Sequence, residues 1–251
     1  MENKLLKYAF LFLLIFAFME NSFAQKVLEK DTIKTSDGNL VMHFIGHASL
    51  MFEYKNQIIQ IDPTEREFDY ALLPKADFVL ITHEHGDHFD TLALNKTQKP
   101  ETKFIMTQIC ANKFSQKTNV TILRNTENQN FSLFKIEAVP AYNVVNKRPT
   151  GEFFHPKGDG NGYILTFADK RIYVAGDTED IIEMSDFKAI DVAFLPMNLP
   201  YTMNVEMCAN AARLCKPKIL YPYHFGKTDT NELVKLLKDN KSIEVRIRHL
   251  P

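Results

Sequence analysis

The sequence predicts an α/β (α+β) fold in which sheets are covered by a few helices. Apolar blocks with strand-like alternation or continuity recur along the chain, and they outnumber the stretches whose apolar residues have helical spacing. The two clearest helical patterns lie near the C-terminus and have strand patterns between and after them. This mixture disfavours both a helical bundle and an all-β barrel.

The first part of the chain predicts hairpins followed by alternating strands and a helix. Asp37-Gly38 is a turn signal, and Lys55-Asn56 separates two runs that alternate in polarity. The run KADFVLITHEH predicts a buried strand, TLALNKTQ a short helix and KFIMTQ another strand. Further strands separated by turns are predicted in NVTILRNT, FSLFKIEAVPAYN, GNGYILTFADKRIYVAGDT and DVAFLPMN.

Two helices with start signals are predicted near the C-terminus. NVEMCANAARLCKP has Asn204 as its N-cap and stops at Pro217, and DTNELVKLLKDN has Asp229 or Thr230 as its cap. The strands KILYPYH and SIEVRIRHL lie between and after them. These patterns complete a chain in which helices and strands share one core.

The first residues have the layout of a secretory signal. Two lysines precede an apolar stretch from Tyr8 to Phe18, and small residues that include Ala24 mark a cleavage site. The apolar stretch has about 11 residues, whereas a membrane-spanning helix needs roughly 20. We therefore predict a signal peptide at 1–24, one mature domain at 25–251 and export to the periplasm or the medium. No stable membrane span is expected after processing.

Charge and cysteine content exclude two further classes. The formal net charge is −1 for the 251-residue chain, and it stays so without the signal, which carries two Lys and two Glu. Such a near-neutral protein does not bind nucleic acid by charge alone. Cys110, Cys208 and Cys215 are odd in number and form no C-x-x-C pair, so we expect buried thiols and not a disulfide framework. No feature indicates a particular oligomeric state.

A dense cluster of polar residues follows a predicted core strand. In HEHGDH, His83 and His85 have i, i+2 spacing, which places both imidazoles on one side of an extended segment. Gly86 permits a turn, after which Asp87 and His88 face a second point. A solvated polar turn is the alternative, but three of the eight histidines fall within these six residues. Imidazoles with carboxylates suit two adjacent divalent ions, zinc first, with manganese or iron as alternatives.

These motifs resemble those of the metallo-β-lactamase-fold hydrolases over most of the mature chain. THEHGDH is similar to the H-x-H-x-D-H signature, and IDPT, AGDTED and YPYHFG resemble the other motifs in the expected order. The segments GHASLMFEY, PAYN, GYIL, RIYVAGDTE and LPMN most resemble the branch that includes L-ascorbate-6-phosphate lactonase. The resemblance implies a four-layer αββα sandwich in a single domain.

The resemblance also implies a role for each residue of the motifs. His83 and His85 would hold the first ion and Asp177 would bridge the two, while the second ion would be held by Asp87, His88 and His224. Asp87 and Asp177 are the predicted catalytic residues. Asp62 would orient the histidine turn, as residues behind metal ligands usually do; a turn acid before Pro63 is the alternative.

The third ligand of the first ion departs from the family pattern. Many relatives have a histidine after a strand like IEAVPAY, and this chain has Asn143 there. His155 is the nearby imidazole, so we assign it the ligand role, with Asn143 or water as the alternative. His47, in a turn that resembles a segment near the active site, is expected to contact substrate or support a ligand, or to be a satisfied turn histidine.

The expected reaction is metal-assisted hydrolysis of a small molecule. A pair of divalent ions lowers the pKa of a bound water from about 16 to roughly 7 and so makes hydroxide available. The resemblance favours a lactone or another ester, including a phosphorylated one. A phosphodiesterase or phospholipase-like hydrolase and a non-catalytic metal-binding protein are the alternatives.

Basic residues near His155 could meet an anionic substrate group. Lys147, Arg148 and Lys157 lie in the segment NKRPTGEFFHPKGDG, although a solvated basic loop would explain them equally. Tyr142, Asn198 and Tyr201 are further candidates for lining the pocket.

Overall fold

The computed structural model describes residues 28–250, which form two seven-stranded sheets packed face to face. The first sheet contains, in spatial order, β1 (Glu29–Thr35), β2 (Gly38–Gly46), β3 (Ser49–Tyr54), β4 (Gln57–Ile61), β5 (Phe78–Leu80), β6 (Lys103–Met106) and β7 (Val120–Ile122). The second sheet contains, also in spatial order, β8 (Asn128–Asn130), β9 (Lys135–Ala141), β10 (Gly160–Phe167), β11 (Lys170–Val174), β12 (Val192–Pro196), β13 (Ile219–Tyr223) and β14 (Glu244–Val245). The predicted signal peptide lies outside the described residues.

Each sheet changes from antiparallel to parallel pairing across its width. The strands from β1 to β4 pair antiparallel and those from β4 to β7 pair parallel. In the second sheet the change occurs at β11. Because neighbouring parallel strands end at the same edge of a sheet, the loops after β4 and β5 come together, as do those after β11, β12 and β13.

The two predicted turns are confirmed. Thr35 pairs with Gly38 at the end of the β1–β2 hairpin, and Gly38 has a φ of 120°. Lys55 and Asn56 connect β3 to β4 with φ values of 50° and 62°. Two positive φ values in a two-residue connection match the twist of the strands that they join.

Four α-helices lie among the described residues: α1 (Thr91–Thr97), α2 (Gln108–Lys113), α3 (Val205–Cys215) and α4 (Thr230–Leu237). Two short 3₁₀ segments, Tyr70–Leu72 and Ile182–Asp186, accompany them. Asn204 caps α3 by accepting a hydrogen bond from the amide of Met207 (2.7 Å). Asp229 caps α4 through the amide of Asn231 (2.9 Å). The predicted cap of α3 is therefore confirmed, and Asp229 is the correct alternative for α4.

Alternation along the strands divides the apolar side chains among three layers of packing. Between the sheets, Phe194 and Tyr221 stack with their ring centroids 5.1 Å apart, and Phe44 packs on Tyr221 at 5.1 Å. The strand neighbours Ala193 and Leu220 face the other way and pack beneath α3 and α4. Residues of α1 and α2 cover the outer face of the first sheet in the same manner. The predicted four-layer αββα sandwich is confirmed.

Two predicted elements differ from the structure. The C-terminal strand predicted in SIEVRIRHL contains only Glu244–Val245, because Arg246 and Arg248 leave the sheet and turn towards Asp31. The helix α2 was not predicted, since its six residues are too few to show helical periodicity.

The cysteines are confirmed as buried free thiols. Burial raises the pKa of Cys110 and of Cys215 to about 12 in each case, so both stay protonated at neutral pH. No helix within 28–250 has both the length and the apolar character that crossing a membrane requires.

A partly buried ion pair joins the first strand to the C-terminal segment. Nη2 of Arg248 donates to both carboxylate oxygens of Asp31, at 2.8 and 2.6 Å, and the hydroxyl of Tyr221 also donates to Asp31. Burial by itself would raise the pKa of Asp31, but the hydrogen bonds from Arg248 and Tyr221 outweigh it and hold that pKa below its ordinary value. The ionised carboxylate therefore ties an edge of the first sheet to β13 of the second.

We predict that Asp31→Asn lowers the free energy of unfolding at pH 7 by about 1–2 kcal/mol, because it weakens charge-assisted hydrogen bonds in a partly buried position. The pKa of Asp31 is lower in the folded chain than in the unfolded one. Its contribution is therefore complete above about pH 4 and disappears as the pH falls through the folded pKa. Urea unfolding between pH 7 and pH 3 should show the variant and the parent converging at acid pH. The exposed Asp239→Asn is the control, and a gap that stays constant with pH would contradict the assignment.

Candidate metal centre

A buried carboxylate at the end of β4 holds the turn that follows β5. The amide of Thr82 donates to Oδ1 of Asp62 (2.8 Å), and the hydroxyl of Thr82 donates to Oδ2 (2.7 Å). Oδ2 also lies 2.8 Å from Nδ1 of His88. Because Asp62 accepts the Nδ1 proton, Nε2 of His88 is the ring atom that could bind an ion in exchange for its own proton. These contacts are those that the predicted orienting role of Asp62 requires.

Three imidazoles from two loops form a first cluster. Nε2 of His83 lies 3.1 Å from Nδ1 of His85, which lies 3.2 Å from Nε2 of His155. One nitrogen from each ring falls within 4.8 Å of the others. His83 and His155 are buried and His85 is partly exposed. The i, i+2 spacing of His83 and His85 thus gives a shared side, and the loop between β9 and β10 supplies the third ring.

Asn143 lies behind His155 and does not occupy a ligand position. Its side-chain oxygen lies 2.9 Å from Nδ1 of His155 and accepts a hydrogen bond from the amide of the same residue (2.7 Å). The amide of Asn143 donates in turn to the carbonyl oxygen of His155 (2.9 Å). The structure therefore places His155 beside His83 and His85, as the predicted ligand role requires, and Asn143 contacts its ring from behind.

A second buried carboxylate, Glu179, fixes the loop that carries Asn143. It accepts a hydrogen bond from the side-chain amide of Asn143 (2.9 Å). It also accepts bonds of 2.6 to 2.8 Å from the backbone amides of Val144, Val145 and Asn146. This carboxylate is completely buried, and four N–H donors compensate the cost of its burial.

The second cluster joins the histidine turn to the loops after β2 and β13. It contains His47, Asp87, His88 and His224, with one ligand atom of each within 4.8 Å of the others. Oδ2 of Asp87 lies 3.2 Å from Nε2 of His47 and 3.7 Å from Nε2 of His224. The rings of His47 and His224 pack with their centroids 3.8 Å apart, and the amide of His224 donates to the carbonyl oxygen of His47 (3.1 Å).

Asp177 lies between the two clusters. Its Oδ2 atom is 3.3 Å from Nε2 of His155 and 3.5 Å from Nε2 of His224, and its Oδ1 atom is 3.3 Å from Nε2 of His88. The preceding Gly176 has a φ of 65°, and a Cβ there would lie 2.7 Å from the carbonyl oxygen of Asn161. Only glycine therefore allows the chain to bring Asp177 to this position.

The electrostatics of the centre favour a bound cation. Burial, reinforced by the charge of His88, holds the pKa of His83 well below its usual range, so that this ring is neutral. Burial would raise the pKa of Asp177, but the positive charges of His224 and His88 outweigh it and keep that pKa well below its ordinary value. At His88 burial opposes protonation, yet Asp177 and Asp62 raise its pKa well above the usual value. The carboxylates thus require positive charge at the point where the rings converge.

The hydrogen bonding of the buried atoms shows that a metal fits. Within 28–250, four atoms at the centre have no hydrogen-bond partner: His88 Nε2, Asp177 Oδ1, and Nδ1 and Nε2 of His224. Three of them point at neighbouring ligand atoms at distances of 3.3 to 3.5 Å without hydrogen-bond geometry. An unsatisfied buried polar atom costs about 1–3 kcal/mol, so lone pairs that converge in this way are explained by coordination of a common ion. The donor set of imidazoles and carboxylates suits zinc, iron or manganese.

The two clusters form the floor of a cleft of about 460 Å³. Its walls contain Arg66, Arg148, Phe154, Asn198 and Tyr201 in addition to cluster residues. The side chain of Asp87 is one-third exposed, so it is the carboxylate of the centre that opens most towards the cleft. A small molecule can therefore reach both clusters from one side.

The sequence predictions for the surroundings of the site are met in part. Asn198 and Tyr201 line the cleft, but the hydroxyl of Tyr142 donates to Glu183 (3.0 Å) instead. Of the three basic residues near His155, only Arg148 lines the cleft. Three residues that act at the site were not predicted: Thr82, Glu179 and Arg66. Glu179 carries a signal, since it follows the motif AGDT, whereas nothing in the local sequence marks Arg66.

Comparison with known proteins agrees with this geometry. A model of the beta-lactamase superfamily domain matches residues 41–224. The chain is 32% identical over 188 residues to a UPF0173 metal-dependent hydrolase of Nanoarchaeum equitans, covering 73% of this chain and 82% of that protein. It is 30% identical over 215 residues to the UPF0173 hydrolase of Thermococcus kodakarensis, covering 80% and 94%.

A solved structure gives the same assignment. A chain from Parabacteroides distasonis, assigned as a metal-dependent hydrolase, is 48% identical and superimposes with a TM-score of 0.85, covering 90% of this chain and all of that one. The agreement of motifs, fold and relatives extends well beyond half of the sequence. The chain therefore belongs to the UPF0173 metal-dependent hydrolases of the metallo-β-lactamase superfamily.

Proposed function

We propose that this metal-dependent hydrolase cleaves a lactone or another ester, including phosphorylated esters, at a centre that holds two divalent ions. The observation that carries the proposal is the position of Asp177, whose two oxygens reach both histidine clusters. His83, His85 and His155 would hold one ion, and Asp87, His88 and His224 the other. When bound, such a pair activates a water nucleophile and polarises the substrate oxygen.

The side chains around the centre would position the reactants. Asp87 is kept ionised because its close contacts with His224 and His47, at 3.7 and 3.2 Å, outweigh the effect of burial and lower its pKa. Its carboxylate lines the cleft and could accept a hydrogen bond from the attacking water, which would orient that water towards the substrate. His47 would hold Asp87 in place and is not itself required as a ligand. No side-chain nucleophile is needed in this scheme.

Zinc is the proposed native metal, with manganese or iron as alternatives. The proposed ligands are five imidazoles and two carboxylates, and no thiolate of the described residues takes part. Neutral imidazole with carboxylate is the ligand set that zinc hydrolases use most. We also propose that the protein is exported. This proposal depends on the sequence of residues 1–24, which lie outside the described part of the chain.

The lactone proposal depends on the resemblance of several segments to the L-ascorbate-6-phosphate lactonase branch. A phosphodiester substrate is the second candidate, because a bridging aspartate at the position of Asp177 is also the pattern of the phosphoesterases that the motifs resemble. We predict that zinc-loaded protein hydrolyses members of a lactone panel at least about tenfold faster, in kcat/KM, than bis-p-nitrophenyl phosphate. Faster cleavage of the phosphodiester would make a phosphodiester, and not a lactone, the favoured substrate class.

Replacement of a proposed ligand should remove both metal and turnover. We predict that His85→Ala and Asp177→Ala each lower the metal content by at least one ion per chain and the turnover by at least about a hundredfold. Metal content is measured by mass spectrometry beside turnover of the best ester. The exposed His249→Ala serves as the control and should behave as the parent. Full activity in metal-free protein would end the proposal.

The different roles of His155 and Asn143 give a separate prediction. His155→Ala removes a ligand atom, so it should lower the stoichiometry from two ions per chain to one. Asn143→Ala removes only a support behind the ligand, so it should retain two ions at saturating zinc but weaken affinity about ten- to hundredfold. Zinc titration of the metal-free variants measures both quantities. Loss of an ion in Asn143→Ala, with two ions retained in His155→Ala, would make Asn143 the ligand.

A further inference from the structure

Arg148 is a cation of the cleft wall that forms no ion pair with a carboxylate anywhere in 28–250. Its guanidinium carbon lies 4.9 Å from the centroid of the Phe154 ring, and its Nη2 atom donates to the carbonyl oxygen of Phe154 (3.4 Å). Arginine has five N–H donors in a rigid plane. Most of these donors therefore have no protein acceptor, although the plane is supported by an aromatic ring.

The support of Arg148 is built in advance of any ligand. The amide of Arg148 donates to the carbonyl oxygen of Glu152 (2.7 Å), and its carbonyl oxygen accepts from the amide of Gly151 (2.9 Å). Phe154 in turn packs edge-on against Tyr201 with the ring centroids 5.2 Å apart. A tight turn and two aromatic rings thus hold the guanidinium at the wall of the cleft, which reduces the entropy lost on binding.

The neighbour of Arg148 on the side of the metal centre is also a donor. Nη2 of Arg148 lies 3.5 Å from Nε2 of His85, whereas Nδ1 of His85 faces His83 and His155. If Nδ1 is the ligand atom, the ring proton is on Nε2. The guanidinium and this N–H then cannot bond to each other, and since they lie 3.5 Å apart, one acceptor placed beside both could satisfy them.

The remaining charges of the cleft point to the same ligand. Asp87 and Asp177 are its only lining carboxylates among the described residues, and both face imidazoles. Two divalent ions would exceed the charge of these two carboxylates, and Arg148 would add to the excess, whereas Arg66 is paired with Glu67 at 3.4 Å. A cleft of one sign concentrates ligands of the opposite sign.

The other basic residues of this segment have different surroundings. Nζ of Lys157 pairs with Glu183 at 2.7 Å, and Nζ of Lys147 lies over the Phe153 ring, 4.7 Å from its centroid. Neither lysine lines the cleft. Arg148 is also exposed and also lies over an aromatic ring, so what distinguishes it from the two lysines is its place in the lining of the cleft.

We propose that Arg148, together with the Nε2–H of His85, recognises an anionic oxygen group of the substrate, a carboxylate or a phosphate, beside the ester that the metal centre hydrolyses. The proposal rests on the proposed function, since the orientation of His85 follows from its role as a ligand. A guanidinium matches either anion with two parallel hydrogen bonds, which a lysine cannot form. Arg148 would thus select anionic esters over neutral ones.

The test compares Arg148→Gln and Arg148→Lys with Lys147→Gln, which removes the same charge one residue away from the cleft wall. Calorimetric titration of the zinc-loaded full-length protein with inorganic phosphate and, separately, with acetate measures binding without turnover. We expect Arg148→Gln to raise Kd at least about tenfold for one of the two anions, and the anion with the larger loss identifies the group that is recognised. Arg148→Lys should be intermediate, and Lys147→Gln should remain within about twofold of the parent.

A second readout uses hydrolysis of mono-p-nitrophenyl succinate and of p-nitrophenyl acetate. The ratio of their kcat/KM values, anionic over neutral, should fall at least about tenfold in Arg148→Gln and stay unchanged in Lys147→Gln. Equal effects of the two glutamine variants on anion binding would overturn the role of Arg148. Absence of ester hydrolysis in the parent, with anion binding still dependent on Arg148, would instead refute the proposed function and leave the anion site standing.

Discussion

The carboxylate of Asp62 is the constraint on which the rest of the site depends. It is completely buried at the end of β4, where it accepts hydrogen bonds from the amide and hydroxyl of Thr82 and holds Nδ1 of His88. The amide of Asp62 donates to the carbonyl oxygen of Leu80, so the same residue also joins the ends of two parallel strands. Removing this carboxylate would leave the buried amide of Thr82 without its acceptor, and Nδ1 of His88 with only the hydroxyl of Thr82 at 3.4 Å. The sheet thereby fixes the direction in which His88 faces before any ion is present.

The two sheets contribute to the centre in a complementary way. The first supplies the histidine turn and Asp62 after adjacent parallel strands, and the second supplies Asp177 and His224 after β11 and β13. Packing of the aromatic core between the sheets sets the separation of these two groups of loops. Because interiors are close-packed and resist deformation, ligand atoms carried by different sheets can converge within 4.8 Å. The geometry of the site therefore depends on how the two sheets pack together and not on any single loop.

Local patterns in the sequence predicted the features that are determined by residues close together in the chain. The hairpin turns, the caps of α3 and α4 and the shared side of His83 and His85 all follow from spacings of a few residues. The choice between His155 and Asn143 could not be made in this way, because it depends on which side chain a loop of 18 residues between β9 and β10 turns towards the cluster. The contacts of Glu179 with the backbone 33 to 36 residues away, which settle the path of that loop, leave no periodic pattern.

The backbone at the site explains why metal and fold should be coupled. His47, Asp62 and His224 have φ values of 51°, 44° and 48°, a left-handed conformation that costs an ordinary residue on the order of 1–2 kcal/mol. Glycine would remove this strain but also the side chain that the site needs. Strain at these three residues and unpaired atoms at His88 and Asp177 both weaken the metal-free fold. An ion that binds only the folded chain offsets these costs by mass action. The features that make the metal-free chain less stable are thus the same ones that favour binding of an ion.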